Sequence, residues 1–154
     1  MNQISTHLDL KYRFTLIEET RVFEFQKKGK LLLKVDFVHY PYPRLKRSKT
    51  YQGIMIDSFL DIATNKLITI SQRTDIKDFV DLYFLFKKFT LWDLIYAVEK
   101  KFRRETDLLL LGADFRKIED FDFLPKMAVS LKLEDLKKFF RQQAKKAAGK
   151  AIIK

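Results

Sequence analysis

Lys66 is the residue whose position could do chemistry. Over residues 59–70 the apolar positions Phe59, Ile62, Ala63, Leu67 and Ile70 recur at helical spacing. At about 100° per residue, Lys66 falls in the middle of that stripe, between Ala63 and Ile70. An ammonium aimed at a core is costly unless an anion meets it. Two carboxylates follow, Asp78 and Asp81, three residues apart on the next helix, with Arg73 and Lys77 at the junction between the helices. Singly, each has a plainer reading. Asp75 and Asp78 suit a helix N-terminus, Lys66 could snorkel to water, Arg73 and Lys77 could be solvated, and Asp81 could form a rim ion pair. Together, a lysine in a core stripe and two acids on an otherwise apolar helix point to a site.

The elements that must position them are legible nearby. Ser58 with Asp61 three residues on is a carboxylate variant of the capping box, and it starts the first helix. Asp75 is a good N-cap for the second, and Asp78 at its third position suits the helix dipole. Ile76, Phe79, Val80, Leu82, Tyr83, Phe84, Leu85, Phe86 and Phe89 cover most of that helix, which predicts extensive burial.

The run DIATNKLITISQRTDIKDFVDLYFL resembles the helical signature of the AbiEii-type nucleotidyltransferase toxins of abortive-infection toxin–antitoxin pairs. Lys66, Arg73, Lys77, Asp78, Asp81, Leu82 and Tyr83 match that signature position by position, and the resemblance is most specific over residues 30–88. It implies a polymerase-β-like scaffold, a nucleoside triphosphate substrate and Mg²⁺ in intact relatives, and a cognate antitoxin as partner. It further implies that Lys66, Arg73 and Lys77 contact the nucleotide. Asp78 or Asp81 would orient Lys66 or act as base toward an acceptor hydroxyl.

Upstream, Tyr12–Ile17, Val22–Phe25 and Leu31–Val38 read as strands, with a hairpin turn about Gly29. Alternation places Lys34, Asp36 and Val38 on one face and Leu33, Val35 and Phe37 on the other. Nucleotidyl transfer uses carboxylates to hold Mg²⁺ against the attacking and leaving oxygens. By the resemblance, Asp36 would be the third metal carboxylate, on an inner strand; the alternative is an exposed edge position paired with the neighbours of Lys34. The family's Gly-Ser turn and Asp-x-Asp pair on an early strand have no counterpart in the N-terminal region. The sequence therefore looks like the C-terminal two-thirds of such an enzyme. With one carboxylate of the metal triad, little or no activity is expected of the chain alone, unless another chain supplies the missing motif.

Residues 39–52 read as a loop, broken by Pro41 and Pro43 and made basic by Arg44, Lys46, Arg47 and Lys49. With Tyr40, Tyr42 and Tyr51 interleaved, it suits RNA contact or is a solvated connection. Residues 53–57 form a short strand. Thr90 should cap an amphipathic helix over 91–103, Thr106 or Asp107 another, and Leu133 starts the last. Residues 117–124 look like an irregular acidic connector. After Asp135 the chain has seven bases and no acids, either dipole matching or a polyanion-binding arm.

The whole reads as α+β: an antiparallel or mixed sheet over about residues 10–57, then a helical bundle over 58–154 packed on it as one continuous unit. A length of 154 residues permits a substantial core, and fifteen Phe argue against disorder. With no Cys, disulfides and thiolate metal sites are excluded, and two His cannot build a zinc site alone. The formal charge of +11 favours a polyanionic partner: nucleic acid, nucleotide or an acidic protein. No signal peptide or membrane span is visible, so a cytoplasmic protein is expected.

Overall fold

The structure is a computed structural model and describes residues 2–152. Its contacts divide the chain into two units, residues 1–41 and 42–154. The division falls after Pro41 rather than after Asp57, so the second hairpin belongs with the helices.

The first unit opens with a short helix, α1 (Asn2–Leu8), which the sequence pattern did not indicate. It continues into three antiparallel strands, β1 (Lys11–Ile17), β2 (Thr20–Lys27) and β3 (Lys30–Phe37), ordered β1-β2-β3. The hairpin about Gly29 forms as expected. Lys28 and Gly29 both take positive φ, 49° and 76°, the twist that a two-residue turn needs to match its flanking strands. The register pairs Phe23 with Val35 and Glu24 with Lys34, and it shifts at Phe25/Gln26, leaving Leu32 as the extra residue of a bulge. Phe14, Phe23 and Phe37 form a row across the sheet, with ring centroids 5.0 and 5.8 Å apart.

The second unit begins with an irregular segment and a small hairpin, β4 (Lys49–Tyr51) and β5 (Ile54–Ile56). The expected loop is therefore shorter: Lys49, Thr50 and Tyr51 are strand residues, because Gln52 and Gly53 close a second turn with positive φ at both positions. This hairpin is a separate sheet, so the two sheets are each antiparallel and neither spans residues 10–57.

Then come the helices: α2 (Phe59–Gln72), α3 (Ile76–Leu85), α4 (Leu91–Phe102), α5 (Leu108–Arg116) and α6 (Leu133–Ile152). Their starts follow the capping residues. The Ser58 hydroxyl accepts from Asp61 N–H at 3.1 Å, Asp75 accepts from Lys77 N–H at 2.9 Å, and Asp107 accepts from Leu109 and Leu110 N–H. Thr90 and Asp93 form a full reciprocal box. Between α5 and α6, Lys117–Asp120 form one turn of 3-10 helix where an irregular connector was expected.

The core lies among these five helices. Leu67 and Ile70 of α2, Phe79 and Leu82 of α3, Leu94 and Val98 of α4, Phe115 of α5, and Leu136 and Phe140 of α6 are all buried. Phe79 meets Phe140 and Phe121 edge-on, at 5.1 and 5.9 Å. Helices α5 and α6 approach closely at Gly112, where an added Cβ would sit 3.3 Å from the Ala144 carbonyl oxygen. The buried face of α2 is turned slightly from the expected stripe. It comprises Asp61, Ala63, Thr64, Leu67 and Ile70, while Phe59 is 60% exposed with Lys88 Nζ over its ring.

Truncating Phe79 removes the ring shared by α3 and α6. Phe79→Ala should lower unfolding stability by about 3–5 kcal/mol, measured by chemical denaturation.

Candidate functional site

The α2–α3 junction brings together four of the residues singled out in the sequence. The Asp78 carboxylate lies on the first turn of α3 and is 1% exposed. Lys66 Nζ, from the middle of α2, donates to Asp78 Oδ1 at 2.7 Å and lies 2.6 Å from Asp81 Oδ2. Arg73, the residue that ends α2, donates from Nε to Asp78 Oδ2 at 2.8 Å and from Nη2 to Oδ1 at 3.1 Å. This two-pronged contact holds the elbow between the helices in one geometry.

The electrostatics follow from that arrangement. Burial alone would raise the Asp78 carboxyl, but Arg73 and Lys66 outweigh it and hold the group below its usual range. Burial would likewise depress the Lys66 ammonium, and hydrogen bonds to Asp78 and Asp81 raise it instead. The hydrogen bond to Asp78 raises Arg73 as well. Both cations keep unused donors. An ammonium carries three N–H bonds and a guanidinium five, and the Lys66 and Arg73 side chains are 25% and 62% exposed. The Asp81 side chain, 52% exposed, keeps an oxygen accessible from solvent.

The other candidates lie elsewhere. Lys77 is exposed, and its backbone N–H serves the Asp75 cap. Arg44 is engaged by Asp57 at 2.8 Å. Lys46 and Arg47 are exposed in the segment before β4, and Lys49 is exposed on β4. Asp36 stands in the first unit on β3, an edge strand and not an inner one, 3.3 Å from Lys34 Nζ. The acidic connector does not gather into a metal site either. Glu119 is clasped by Arg141 Nε and Nη2 at 2.6 and 2.8 Å, which draws one base of the C-terminal helix onto the bundle. Among the described residues, no three of His, Cys, Asp and Glu stand together as metal ligands. The residues present therefore do not fit a two-metal clamp by themselves.

A second ion pair escaped sequence reasoning. Asp61 and Lys101 are both fully buried, with Lys101 Nζ 3.0 Å from Asp61 Oδ1. Asp61 also accepts from Ser58 Oγ at 2.6 Å, Leu45 N–H at 2.8 Å and Lys46 N–H at 3.3 Å. One carboxylate thus ties the basic segment, the start of α2 and the end of α4. Lys101 falls three residues after Val98 and seven after Leu94, in the apolar stripe of α4, and that signal could have found it. A cleft of about 310 Å³ opens on the α2 side lined by Ser71, Gln72, Arg104 and Asp114.

The family model described as "Nucleotidyl transferase AbiEii toxin, Type IV TA system" matches residues 8–152, nearly the whole chain. The chain belongs to the AbiEii nucleotidyl transferase toxin family. It is also 31% identical over 130 residues to an uncharacterised protein of Aquifex aeolicus (strain VF5), a match covering 79% of this chain and 63% of that protein. The chain thus spans less than two thirds of that relative's length. No solved structure matches it significantly. No helix among the described residues is long and apolar enough to cross a membrane. Within this AbiEii chain, the residues that carried the resemblance and that meet in space are Lys66, Arg73, Asp78 and Asp81.

The depressed Asp78 carboxyl makes the junction acid-sensitive. A group lowered on folding contributes stability that is present above its unfolded value, near 3.8, and lost as the pH falls through the folded value. Asp78→Asn should cost about 2 kcal/mol at pH 7. The gap to the unmodified protein should close as denaturation is repeated below about pH 4.

Proposed function

We propose that the α2–α3 junction is the triphosphate-recognition half of a nucleotidyltransferase toxin. One observation carries this reading: a buried carboxylate aligns two cations that both retain free donors. Two cations fixed side by side by Asp78 suit the oxygens of a polyphosphate, and their order is set before a ligand arrives. Asp78 positions Lys66 and Arg73. Asp81 supports Lys66 and offers an oxygen to an acceptor hydroxyl, whose proton it could take. Lys77 is a further, peripheral cation at the same helix start. In an intact relative Mg²⁺ would steady the attacking and leaving oxygens. By the resemblance Asp36 would be one metal carboxylate, and transfer needs further metal ligands that the described residues do not gather. By itself the chain binds nucleotide and transfers little. A cognate antitoxin is the partner that the toxin family implies, and the cytoplasm is the compartment where triphosphates are available.

Binding of labelled nucleoside triphosphates tests the site directly. The chain should retain label on a filter, and Lys66→Ala or Arg73→Ala should weaken binding about tenfold or more, the loss of one charge-assisted contact. Equal retention by the chain and by Lys66→Ala would remove the nucleotide from this junction.

A second reading rests on a different surface. Lys46, Trp92, Tyr96 and Lys100 line one open cleft of about 600 Å³, with Tyr96 67% exposed, and Lys150 Nζ lies 4.5 Å over the Trp92 ring. Exposed rings among cations suit the bases and phosphates of single-stranded RNA. Arg44, Arg47 and Lys49 would extend that contact. Affinity for an RNA oligomer should then fall about a hundredfold or more between 50 and 200 mM salt and weaken in Lys46→Ala, while Lys66→Ala leaves it unchanged.

A further inference from the structure

Gln143 of α6 is only 6% exposed, yet its side-chain amide meets no hydrogen-bonding group among the described residues. An amide carries two N–H donors and a carbonyl acceptor, and leaving them unmatched away from bulk water costs stability. Nothing in the local packing asks for a polar residue there. Its neighbours on the buried face of α6 are Phe140, Ala144 and Ala147. The amide is not sealed off, however. Gln143 lines a cleft of about 710 Å³ between the α3–α4 turn, the start of α4 and the middle of α6, and its amide keeps contact with that space.

The other walls say what the amide could meet. Phe89 of the α3–α4 turn and Phe139 of α6 line the cleft, both half-buried, with Trp92 at 38% exposure. Ring surfaces around a single amide suit a flat heterocycle, which packs on the rings and is read along its hydrogen-bonding edge. The amide's oxygen and nitrogen, side by side, match the amino group and neighbouring ring nitrogen of adenine. Lys87, Lys88 and Lys146 also line the cleft, and all three are exposed. None of them is ion-paired among the described residues; Lys87 Nζ rests 4.7 Å over the Phe84 ring and Lys88 Nζ 5.1 Å over that of Phe59. Asp93, the one acid of the lining, is occupied: its Oδ2 accepts from Thr90 N–H at 2.8 Å and from Thr90 Oγ1 at 2.7 Å. Aromatic walls with lysines at the rim suit a base that carries a phosphate.

We infer that this cleft binds an adenine base, read by the Gln143 amide, with its phosphate toward the lysines. No residue of the α2–α3 junction lines the cleft, so the inference stands without the triphosphate reading. It draws on neither Asp36 nor any other residue of the first unit. Trp92 is shared with the open cleft of the RNA reading, whereas Gln143 and Phe139 are not. The adenine can arrive on a free nucleotide or as an unstacked base of a single strand, and the recognition chemistry is the same.

Equilibrium dialysis of the full chain against labelled adenosine tests the cleft, because a nucleoside has no phosphate for Lys66 and Arg73 to hold. Adenosine should be retained at about 1 mM ligand. The emission of Trp92, the one tryptophan of the chain, should change as it binds. Gln143→Met keeps the length of the side chain and removes the amide, and it should weaken adenosine binding about tenfold or more. The same variant should unfold at an equal or higher denaturant concentration, since an apolar group replaces an unmatched amide. Adenosine monophosphate and a short oligoadenylate then tell the sources apart. Tighter retention of the monophosphate identifies a free nucleotide and tighter retention of the oligomer a single strand, and either supports the site. No retention of adenosine at that concentration would overturn the inference. Equal retention by Gln143→Met would overturn it too, by placing the base elsewhere. So would easier unfolding of Gln143→Met, because the amide would then be satisfied within the fold.

Discussion

A carboxylate taken almost wholly out of water must be met by positive charge, and Asp78 is met twice. Lys66 arrives from the helix before it and Arg73 from the residue that ends that helix. Desolvation of one acid thus dictates the angle at which α2 turns into α3. The same pull keeps the lysine from swinging to solvent and leaves both cations with donors to spare. The carboxylate that disfavours exposure is also what holds the cations in place.

Asp61 repeats the device in a more closed form. Its oxygens gather an ammonium, a hydroxyl and two backbone N–H groups, with no exposure at all. The four donors come from three parts of the unit, so the carboxylate works as a clamp between α2, α4 and the segment before β4. Unlike Lys66, Lys101 has no outward face. The two lysines therefore differ in exposure, 25% for the Lys66 side chain and 1% for that of Lys101. Sequence spacing alone places both in apolar stripes, and only their depth separates them.

Among the described residues, what is missing is as physical as what is present. The AbiEii family is one of nucleotidyl transfer, and that chemistry needs clustered carboxylates to counter metal charge. The acids here are instead consumed one by one: Asp78 by two cations, Glu119 by Arg141, Asp57 by Arg44, and Asp36 beside Lys34. Bases outnumber acids 31 to 20, which favours such pairing. The C-terminal bases meet the same fate in part, since Arg141 and Lys137 reach back to Glu119. A tail that reads as a polyanion arm is partly a strap across its own bundle.

The sequence by itself determined the helix starts, the Gly29 hairpin, the face shared by Lys34 and Asp36, and the pairing of Lys66 with acids. These are local matters: capping, alternation and the 3.6-residue period act over a few residues and leave their mark in spacing. Tertiary structure alone decided the rest. It turned the buried face of α2 toward Thr64 and away from Phe59, set β3 at an edge, closed residues 49–56 into a hairpin of their own, and joined Asp61 to Lys101 across 40 residues. Those outcomes depend on which distant groups compete for the same buried space. No window of sequence records that competition, because desolvation is a property of the packed chain and not of the residue.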